Sequence, residues 1–501
     1  MDTQYGYATR SYALNNVPQN TMSMPTMVSS RGQNSSQEKA YLLGLGIAGI
    51  VAYFLYKADY AIVGAAVVGL PFLMGCIVEP RIGIYVYCFW QAWDSAISLD
   101  STDQGQGLFT LSKPLAFLIL GTSLLHIKRR PIVVSSSRVI FGWTLAYCAI
   151  AMLSSFWSYD ILRSMLLGFQ MLTQWFLAMV ILAMVGTNLE VLKRMAFWTI
   201  IGGITTGIYL CFAGMEQSRF NRASLSDTAN PATVANSLAL SLSCIPIVWG
   251  LVRSRFVKLL LLASANVMLF GIVGTGTRAV MAGILLACIV GGVLTGGRGR
   301  AKRIVAMAVV LVVGYVVGAI AIYSKVFPGS AGARLAEFMM LPMPQEYSHW
   351  EGTASGREAV WELAMKGYHY AGFMGSGIGC SAYANREAAG IYLDVHSNLV
   401  SSLVELGPLG LIIFIGLHVV IALQILKLSS AWLQLCAWSV FLPAMVFGSA
   451  HSSYSTKWFW LPITFLVIFA EIGSKASSAS RVGPLHGSIY TRDAPSQKAI
   501  V

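Results

Sequence analysis

Apolar runs long enough to cross a membrane recur along almost the whole chain. Each run is close to the ~20 residues that an α-helix needs to cross the ~30 Å hydrocarbon layer of a bilayer. Within each run the hydrophobicity is continuous rather than alternating, which favours helices over the strands of a barrel. The runs are 41–57, 60–78, 81–94, 111–127, 139–156, 164–185, 195–214, 232–252, 257–274, 278–296, 304–323, 397–426, 431–448 and 457–472. The sequence therefore predicts an all-α, polytopic integral membrane protein with about 12–14 transmembrane helices.

The composition agrees with this prediction and argues against binding to nucleic acid. Of the 501 residues, 56% are hydrophobic and 11% are charged, whereas an average soluble domain has about 25% charged residues. The net charge of +13 comes from Lys and Arg in short loops between the apolar runs, which is the topology signal of membrane proteins. A basic and aromatic soluble module for nucleic acid is not evident. Seven of the eight cysteines lie in apolar runs, and they form neither a disulfide framework nor a metal-ligand pattern.

The basic loops predict which side of the membrane each segment faces. They all fall on one side of the predicted helices, and the positive-inside rule makes that side cytoplasmic. These loops contain residues 128–138, 193–194, 253–258, 298–303 and 427. The predicted organisation is a disordered cytoplasmic tail (1–40), a first group of helices (41–323), one large outer loop (324–396), the C-terminal helices (397–472) and a second cytoplasmic tail (473–501). Within the outer loop, residues 356–370 have the spacing of an amphipathic helix.

Three arginines are predicted on the outer side, against the general trend: Arg222, Arg278 and Arg357. An interfacial arginine can simply extend to lipid headgroups. Three on one face favour a ligand, because the planar guanidinium suits phosphate oxygens. The helices beginning near Ala232 and near His396 are also predicted to point their positive ends at this face. We therefore expect a lipid-linked phosphate or diphosphate to bind here.

A histidine opens the stretch DVHSNLVSSLVELGPLG at 394–410. His396 lies just before, or in, the first turn of its helix, where a neutral imidazole can act as a general base toward a hydroxyl. A histidine that caps the helix or bonds a loop carbonyl is an equally consistent interpretation. Later in the stretch, Gly407 and Gly410 are expected to allow close helix packing.

The remaining titratable candidates have weaker signals. His418 lies mid-helix and is expected to be a packing or hydrogen-bonding residue, whereas His349, His369 and His451 are outer-side residues without a motif. Asp100 and Asp103 form the one acidic pair on the outer side, and they are more typical of a solvated loop than of a hard-cation site. We therefore predict no metal and no cofactor, because arginines can neutralise a departing diphosphate instead.

Several motifs follow one another between residues 222 and 410. They are Arg222 before Asn230-Pro231, Gly276-Thr-Arg278-Ala, Ser355-Gly-Arg357 with Trp361, Gly377-Ile-Gly379, and His396-Ser-Asn398 followed by Glu405-Leu-Gly407-x-x-Gly410. Over roughly residues 200–425 this order resembles the superfamily of O-antigen ligases and Wzy-type O-antigen or exopolysaccharide polymerases. The chain departs from the family where His-Ser replaces the common His-Asn and where Thr-Arg replaces Ser-Arg.

The resemblance implies a GT-C-like, metal-independent, inverting glycosyltransferase of the bacterial inner membrane. Its donor would be an undecaprenyl-diphosphate-linked oligosaccharide on the periplasmic face. Arg222 and Arg278 match the family's diphosphate-binding arginines, and His396 matches its essential histidine. Arg357 is added as a third diphosphate-binding candidate because arginine suits phosphate oxygens. The acceptor would be another lipid-linked glycan in a polymerase, which we favour, or lipid A-core in a ligase. A chain-length regulator is a further expected partner.

The alternative from another class is a transporter of anions or lipid-linked sugars. It would need polar residues at the bilayer midplane as well as arginines at the surface. Asn236, Asn266 and His418 are the evident candidates, and lone polar residues in membrane helices usually bond neighbouring helices.

Overall fold

The computed structural model describes residues 61–94, 112–127, 137–212, 224, 230–294, 300–324, 326–327, 329–345 and 356–481. Within these ranges the chain is helical and contains no strand, which confirms the all-α class. Eight of the described helices are long and apolar enough to cross a membrane, which confirms a polytopic membrane protein. The predicted tail 1–40, the predicted segment 41–57 and residues 482–501 lie outside the described residues. The chain divides into two units, 1–71 and 72–501, and the candidate site lies in the second.

The helices are numbered here from the first described residue. Those that precede the long outer segment are α1 Ala61–Val78, α2 Arg81–Trp90, α3 Ser112–Ile127, α4 Arg138–Leu153, α5 Ile161–Val185, α6 Leu189–Phe212, α7 Pro231–Ser243, α8 Ile245–Leu251, α9 Arg255–Gly274, α10 Arg278–Leu294 and α11 Arg300–Tyr323. Those within and after that segment are α12 Gly329–Phe338, α13 Gly356–Ala371, α14 Ser381–Ala389, α15 Asn398–Leu426, α16 Ala431–Ala450 and α17 Lys457–Arg481.

Small residues let several of these helices pack backbone against backbone. Helices α10 and α16 run antiparallel, because Gly283 lies against Pro443 and Gly291 lies against Leu435. A Cβ at Gly283 would approach the Cα of Pro443 to 2.8 Å, and one at Gly291 would approach Leu435 Cδ1 to 2.8 Å. Close approach through small residues is a common way for membrane helices to gain packing contacts.

One end of the bundle, called the outer end here, carries the starts of α5, α7, α15 and α17. The backbone N–H of Tyr159, just before α5, bonds Ser376 of the outer segment at 3.2 Å. At the start of α17, the indole N–H of Trp458 bonds the hydroxyl oxygen of Ser237 on α7 at 2.9 Å. The helix starts that were predicted to face the same side are thus brought to one end.

The predicted outer loop 324–396 contains more helix than the sequence indicated. The amphipathic helix expected at 356–370 is present as α13, with Leu363 and Ala364 buried. Two further helices, α12 and α14, were not predicted. Helix α12 (GSAGARLAEF) buries mostly small side chains, so its sequence lacks the pattern of large apolar residues that signals a helix.

Helix α15 is kinked at Gly407, where φ is 68°. The following residue, Pro408, has no N–H to donate to the carbonyl of Val404 four residues earlier. Ser376 and Gly377 of the outer segment replace the missing helical bonds, because their N–H groups donate to the carbonyls of Val404 and Glu405, both at 2.9 Å. The kink therefore creates the docking point for the glycine-rich turn 372–380.

The role predicted for Gly407 in helix–helix packing is wrong. A Cβ at this position would collide with the carbonyl oxygen of Phe373, which belongs to the glycine-rich turn and not to a neighbouring membrane helix. The positive φ adds a second reason for glycine, because residues with a Cβ avoid that region.

We predict that Gly407→Ala destabilises the fold more than Gly390→Ala, which has a similar positive φ but no steric clash. Gly390 has φ of 72° and open space where a Cβ would lie, with no atom within 4 Å, so Gly390→Ala isolates the backbone cost of about 1–2 kcal/mol. Gly142 in α4 has open space and ordinary φ, and its replacement by Ala should be neutral or stabilising by up to ~1 kcal/mol. Thermal unfolding in detergent should rank the three variants in this order, and equal losses for Gly407→Ala and Gly390→Ala would contradict the docking role.

Candidate functional site

His396 lies at the entrance to α15, directly before the residue that caps the helix. Ser397 is the N-cap, and its hydroxyl oxygen accepts a hydrogen bond of 3.3 Å from the backbone N–H of Val400. The chain reaches this cap without regular structure, with Val395 buried and His396 exposed. The imidazole is therefore accessible at the outer end of the bundle.

A second imidazole lies close to His396, at the end of α16. His451 is the C-cap residue of that helix, and its ring centroid lies 6.4 Å from that of His396. The same ring stacks on Phe447, with centroids 4.7 Å apart and planes inclined by 19°. Sequence reasoning identified His451 only as an outer-side residue, because no local pattern indicates that α15 and α16 bring these two positions together.

The buried amide of Asn398 joins the two helix ends that carry the histidines. Its oxygen accepts hydrogen bonds from the backbone N–H groups of Ser453 (2.5 Å) and Tyr454 (3.2 Å). Its nitrogen donates to the hydroxyl oxygen of Ser453 at 3.1 Å. Nearby, the hydroxyl of Ser452 donates a hydrogen bond to the carbonyl of Val395. Residues 451–454 are thereby fixed to the first turn of α15.

A buried carboxylate about two helical turns further into α15 links this loop to the outer segment. Glu405 is 2% exposed, and one of its carboxylate oxygens accepts hydrogen bonds from the Tyr454 hydroxyl (2.6 Å) and the Gly379 N–H (2.9 Å). Burial, together with the nearby Glu405 carboxylate, raises the pKa of Tyr454 well above its ordinary value. The phenol is therefore protonated and acts as a donor, and Glu405 connects α15, the 451–454 loop and the glycine-rich turn.

Arg278 is the first residue of α10, as expected for a residue at a helix mouth. Its Nη1 lies 2.6 Å from a carboxylate oxygen of Glu337 on α12, and the side chains are 31% and 21% exposed. This ion pair explains why α12 is seated at the outer end, although the sequence did not indicate α12 at all. The carboxylate thus occupies part of a guanidinium that a second anion could share or take over.

The packing register of α10 on α16 places Arg278 level with the histidines along the bundle. Gly283 faces Pro443 and Val446, so in an antiparallel pair the start of α10 is level with the last turn of α16. His451 follows that turn directly. At the same level, a Cβ on Gly448 would approach the amide nitrogen of Asn398 to 2.6 Å. The starts of α10 and α15 and the end of α16 therefore converge.

Several predicted site residues lie outside what the structure describes. Arg222, His349, Asp100 and Asp103 are outside the described ranges, and only the backbone of Arg357 is described, as the second residue of α13. Helix α7, which follows the Arg222 segment, begins as predicted: Asn230 is its N-cap and accepts a hydrogen bond from the N–H of Ala232 at 2.9 Å.

Sequence reasoning missed an arginine that helps to position the segment before His396. Arg163, in the first turn of α5, lies over the ring of Tyr383 at 5.8 Å. Tyr383 makes an edge contact with Tyr392 at 5.4 Å, and Asn385 donates to the carbonyl of Leu393 at 2.7 Å. The sequence SYDILR at 158–163 offered a signal, since it places a charged pair at a predicted outer helix start.

A buried ion pair at the outer end was also missed. Lys457 Nζ lies 2.9 Å from a carboxylate oxygen of Asp94, and the two side chains are 4% and 5% exposed. This pair connects the residues after α2 to the start of α17. Because removing one partner would leave an uncompensated buried charge, we interpret the pair as a structural link.

Comparison with known proteins adds a family match over part of the chain. The O-antigen ligase family model matches residues 263–415. The predicted superfamily resemblance is confirmed. A search of curated proteins finds no match. The matched segment includes Arg278, Glu337, His396 and Glu405, and Arg222 precedes it.

This family supports membrane glycan processing of the O-antigen ligase and polymerase type, with lipid-linked glycans as substrates. Across the described ranges, no three His, Cys, Asp or Glu side chains converge as a group that could hold a metal ion. His418 packs against Phe414 in α15 and its Nδ1 bonds the carbonyl of the same residue at 2.8 Å, as predicted for a hydrogen-bonding helix residue.

We predict that Asn398→Ala lowers the thermal stability markedly. The change leaves buried N–H groups of Ser453 and Tyr454 without their acceptor, at about 1–3 kcal/mol each. Ser453→Ala, which removes one side-chain partner of Asn398, should have a smaller effect. The matched control is Asn266→Ala, because that exposed amide bonds only the Leu262 carbonyl of its own helix. A similar unfolding temperature for Asn398→Ala and Asn266→Ala in detergent would contradict the role of Asn398.

Proposed function

We propose that the protein transfers a glycan from an undecaprenyl-diphosphate-linked donor to an acceptor hydroxyl. The reaction takes place at the outer, periplasmic end of the bundle in the bacterial inner membrane. The placement of His396 and Arg278 at neighbouring helix ends carries the proposal. One residue offers an exposed imidazole to the aqueous side, and the other a half-buried guanidinium at the level where a lipid-held diphosphate would lie.

In the proposed step, His396 accepts the proton of the acceptor hydroxyl. The hydroxyl oxygen forms a bond to the anomeric carbon of the donor while the bond from that carbon to the phosphate oxygen breaks. The polyprenyl diphosphate leaves with the electron pair. A direct displacement of this kind inverts the anomeric configuration, and the cationic side chains stabilise the charge that develops on the leaving group.

Arg278 is proposed to bind the diphosphate together with Arg222 and Arg357. A guanidinium has five N–H donors, so one carboxylate contact does not exhaust its capacity to bind phosphate oxygens. Arg222 and Arg357 enter the proposal because of their motif positions and their chemistry. In this scheme the arginines neutralise the charge of the departing diphosphate, as a metal ion does in other transferases.

Two acceptors are compatible with this site. We favour a polymerase that adds the glycan to another lipid-linked unit, working with a chain-length regulator. The alternative is a ligase that transfers the finished glycan to lipid A-core. Analysis of glycans in a deletion strain distinguishes them, because single-repeat lipid-linked units indicate a polymerase and unattached full-length chains indicate a ligase.

A transporter has less support from the described residues. Asn266 is exposed and bonds its own helix, and His418 packs among aromatic rings. These two candidate midplane residues therefore have local structural partners, whereas the third, Asn236, is buried in α7.

We predict that His396→Ala and Arg278→Ala each reduce glycan transfer by about 10²-fold or more, because they remove the general base and a charge that stabilises the leaving group. The assay uses purified protein in detergent with the lipid-linked glycan extracted from the deletion strain. Matched controls are His369→Gln, at an exposed histidine of α13, and Arg253→Ala, at an exposed arginine between α8 and α9. Normal transfer by His396→Ala, in protein that elutes as a single species, would refute the proposal.

We also predict that Glu337→Gln strengthens binding of the lipid-linked donor. The change removes a negative charge 2.6 Å from Arg278 Nη1, which lowers repulsion of the diphosphate and weakens competition for the guanidinium. The KM for the lipid-linked donor should fall several-fold while kcat changes little. Glu362→Gln, at an exposed carboxylate paired with Lys366 on α13, is the control. A higher donor KM in Glu337→Gln would mean that the carboxylate positions Arg278 instead of competing for it.

A further inference from the structure

We propose that His451 is a second catalytic residue, which hydrogen-bonds the same acceptor hydroxyl whose proton His396 accepts. This inference rests on the proposed function and adds a residue that the motif resemblance does not include. It is carried by the geometry of the two helix ends and by the contacts that hold them in place.

The separation of the two rings fits one shared oxygen atom. Their centroids are 6.4 Å apart, with planes inclined by 50°. An imidazole nitrogen lies roughly 1 Å from its ring centre, and N···O hydrogen bonds are ~2.7–3.2 Å long. Two such bonds through one oxygen can span up to about 8 Å between ring centres. A hydroxyl oxygen slightly off the line between the rings can therefore reach a nitrogen of each.

The chain segments that carry the two rings are held together by contacts on either side of the gap. His451 stacks on Phe447 and is followed by the residues that Asn398 holds. The carbonyl of Val395, next to His396, accepts hydrogen bonds from the hydroxyls of Ser401 (3.2 Å) and Ser452. Residues on both sides of the gap are thus bonded to each other, so the backbone positions that carry the two imidazoles are fixed relative to each other.

The opposite electrostatic polarity of the two helix ends suggests a different role for each imidazole. His396 precedes the N-terminus of α15, whose positive end disfavours an additional proton and so favours an acceptor nitrogen. His451 caps the C-terminus of α16, whose negative end favours an N–H donor. We therefore assign the acceptor role to His396 and the donor role to His451. Arg278 lies at the same level, at the start of α10, where it is proposed to meet the diphosphate.

The resulting step balances without any added group. His451 donates an N–H to the acceptor oxygen and orients it, and His396 takes the hydroxyl proton. The freed lone pair attacks the anomeric carbon as the carbon–oxygen bond to the diphosphate breaks. The proton ends on His396, the electron pair leaves with the diphosphate, and His451 keeps its own proton. Orientation of the nucleophile is an effect on the chemical step, so it should change kcat more than donor binding.

The test compares His451→Ala with His396→Ala in the purified-protein assay with extracted lipid-linked glycan. We expect His451→Ala to lower kcat about 10²-fold, with a donor KM within about twofold of wild type. Because His451 is only partly buried, added imidazole should enter the vacated position and restore part of the activity. His369→Gln, at a histidine outside the site, should behave as wild type with and without imidazole.

Two results would overturn the inference while leaving the proposed function intact. One is wild-type kcat in His451→Ala when His396→Ala is inactive. The other is a loss of activity that imidazole does not restore, together with a lower unfolding temperature, which would make His451 a structural cap. Normal transfer by His396→Ala would instead refute the proposed function itself, so the two failures are distinguishable.

Discussion

The candidate site depends on the kink that Gly407 and Pro408 introduce into α15. A proline without an N–H leaves the carbonyl of Val404 without its helical donor, and the bend also exposes the carbonyl of Glu405. Both accept N–H groups of the glycine-rich turn. Buried carbonyls must be paired, so the break in the membrane helix and the docking of the outer segment require each other.

A continuous set of hydrogen bonds extends from this kink to the histidines. The glycine-rich turn donates the Gly379 N–H to Glu405, which also receives the Tyr454 hydroxyl. Tyr454 belongs to the loop that Asn398 holds, and that loop begins with His451. The backbone positions that carry the two imidazoles are therefore determined by buried polar contacts. A buried hydrogen-bond network specifies one structure only when every donor and acceptor in it is paired. A single substitution deep in α15 should therefore affect the residues at the start of that helix.

The sequence predicted the parts of this arrangement that follow from periodicity and charge. Long apolar runs located most helices, and motif order identified His396 and Arg278 as candidates. Periodicity could not reveal α12, whose buried face consists of small residues. Nor could it reveal the ion pairs Arg278–Glu337 and Lys457–Asp94 or the approach of His451 to His396. These contacts join residues distant in sequence, and they depend on helix register, which has no signature in either segment alone.

The same register explains how a membrane enzyme could separate its two substrates. The guanidinium of Arg278 is paired with Glu337 of α12 at the start of α10, whereas His396 is exposed at the outer end of the bundle. In the proposed reaction, a lipid-linked diphosphate would reach the first from the bilayer, and an acceptor glycan would reach the second from solution. Because α10 packs tightly on α16 through Gly283 and Gly291, and α15 is bonded to the loop after α16, the two approaches are fixed relative to each other. A transferase acting on long glycans needs this combination: open access for the chains, and a rigid distance between the atoms that react.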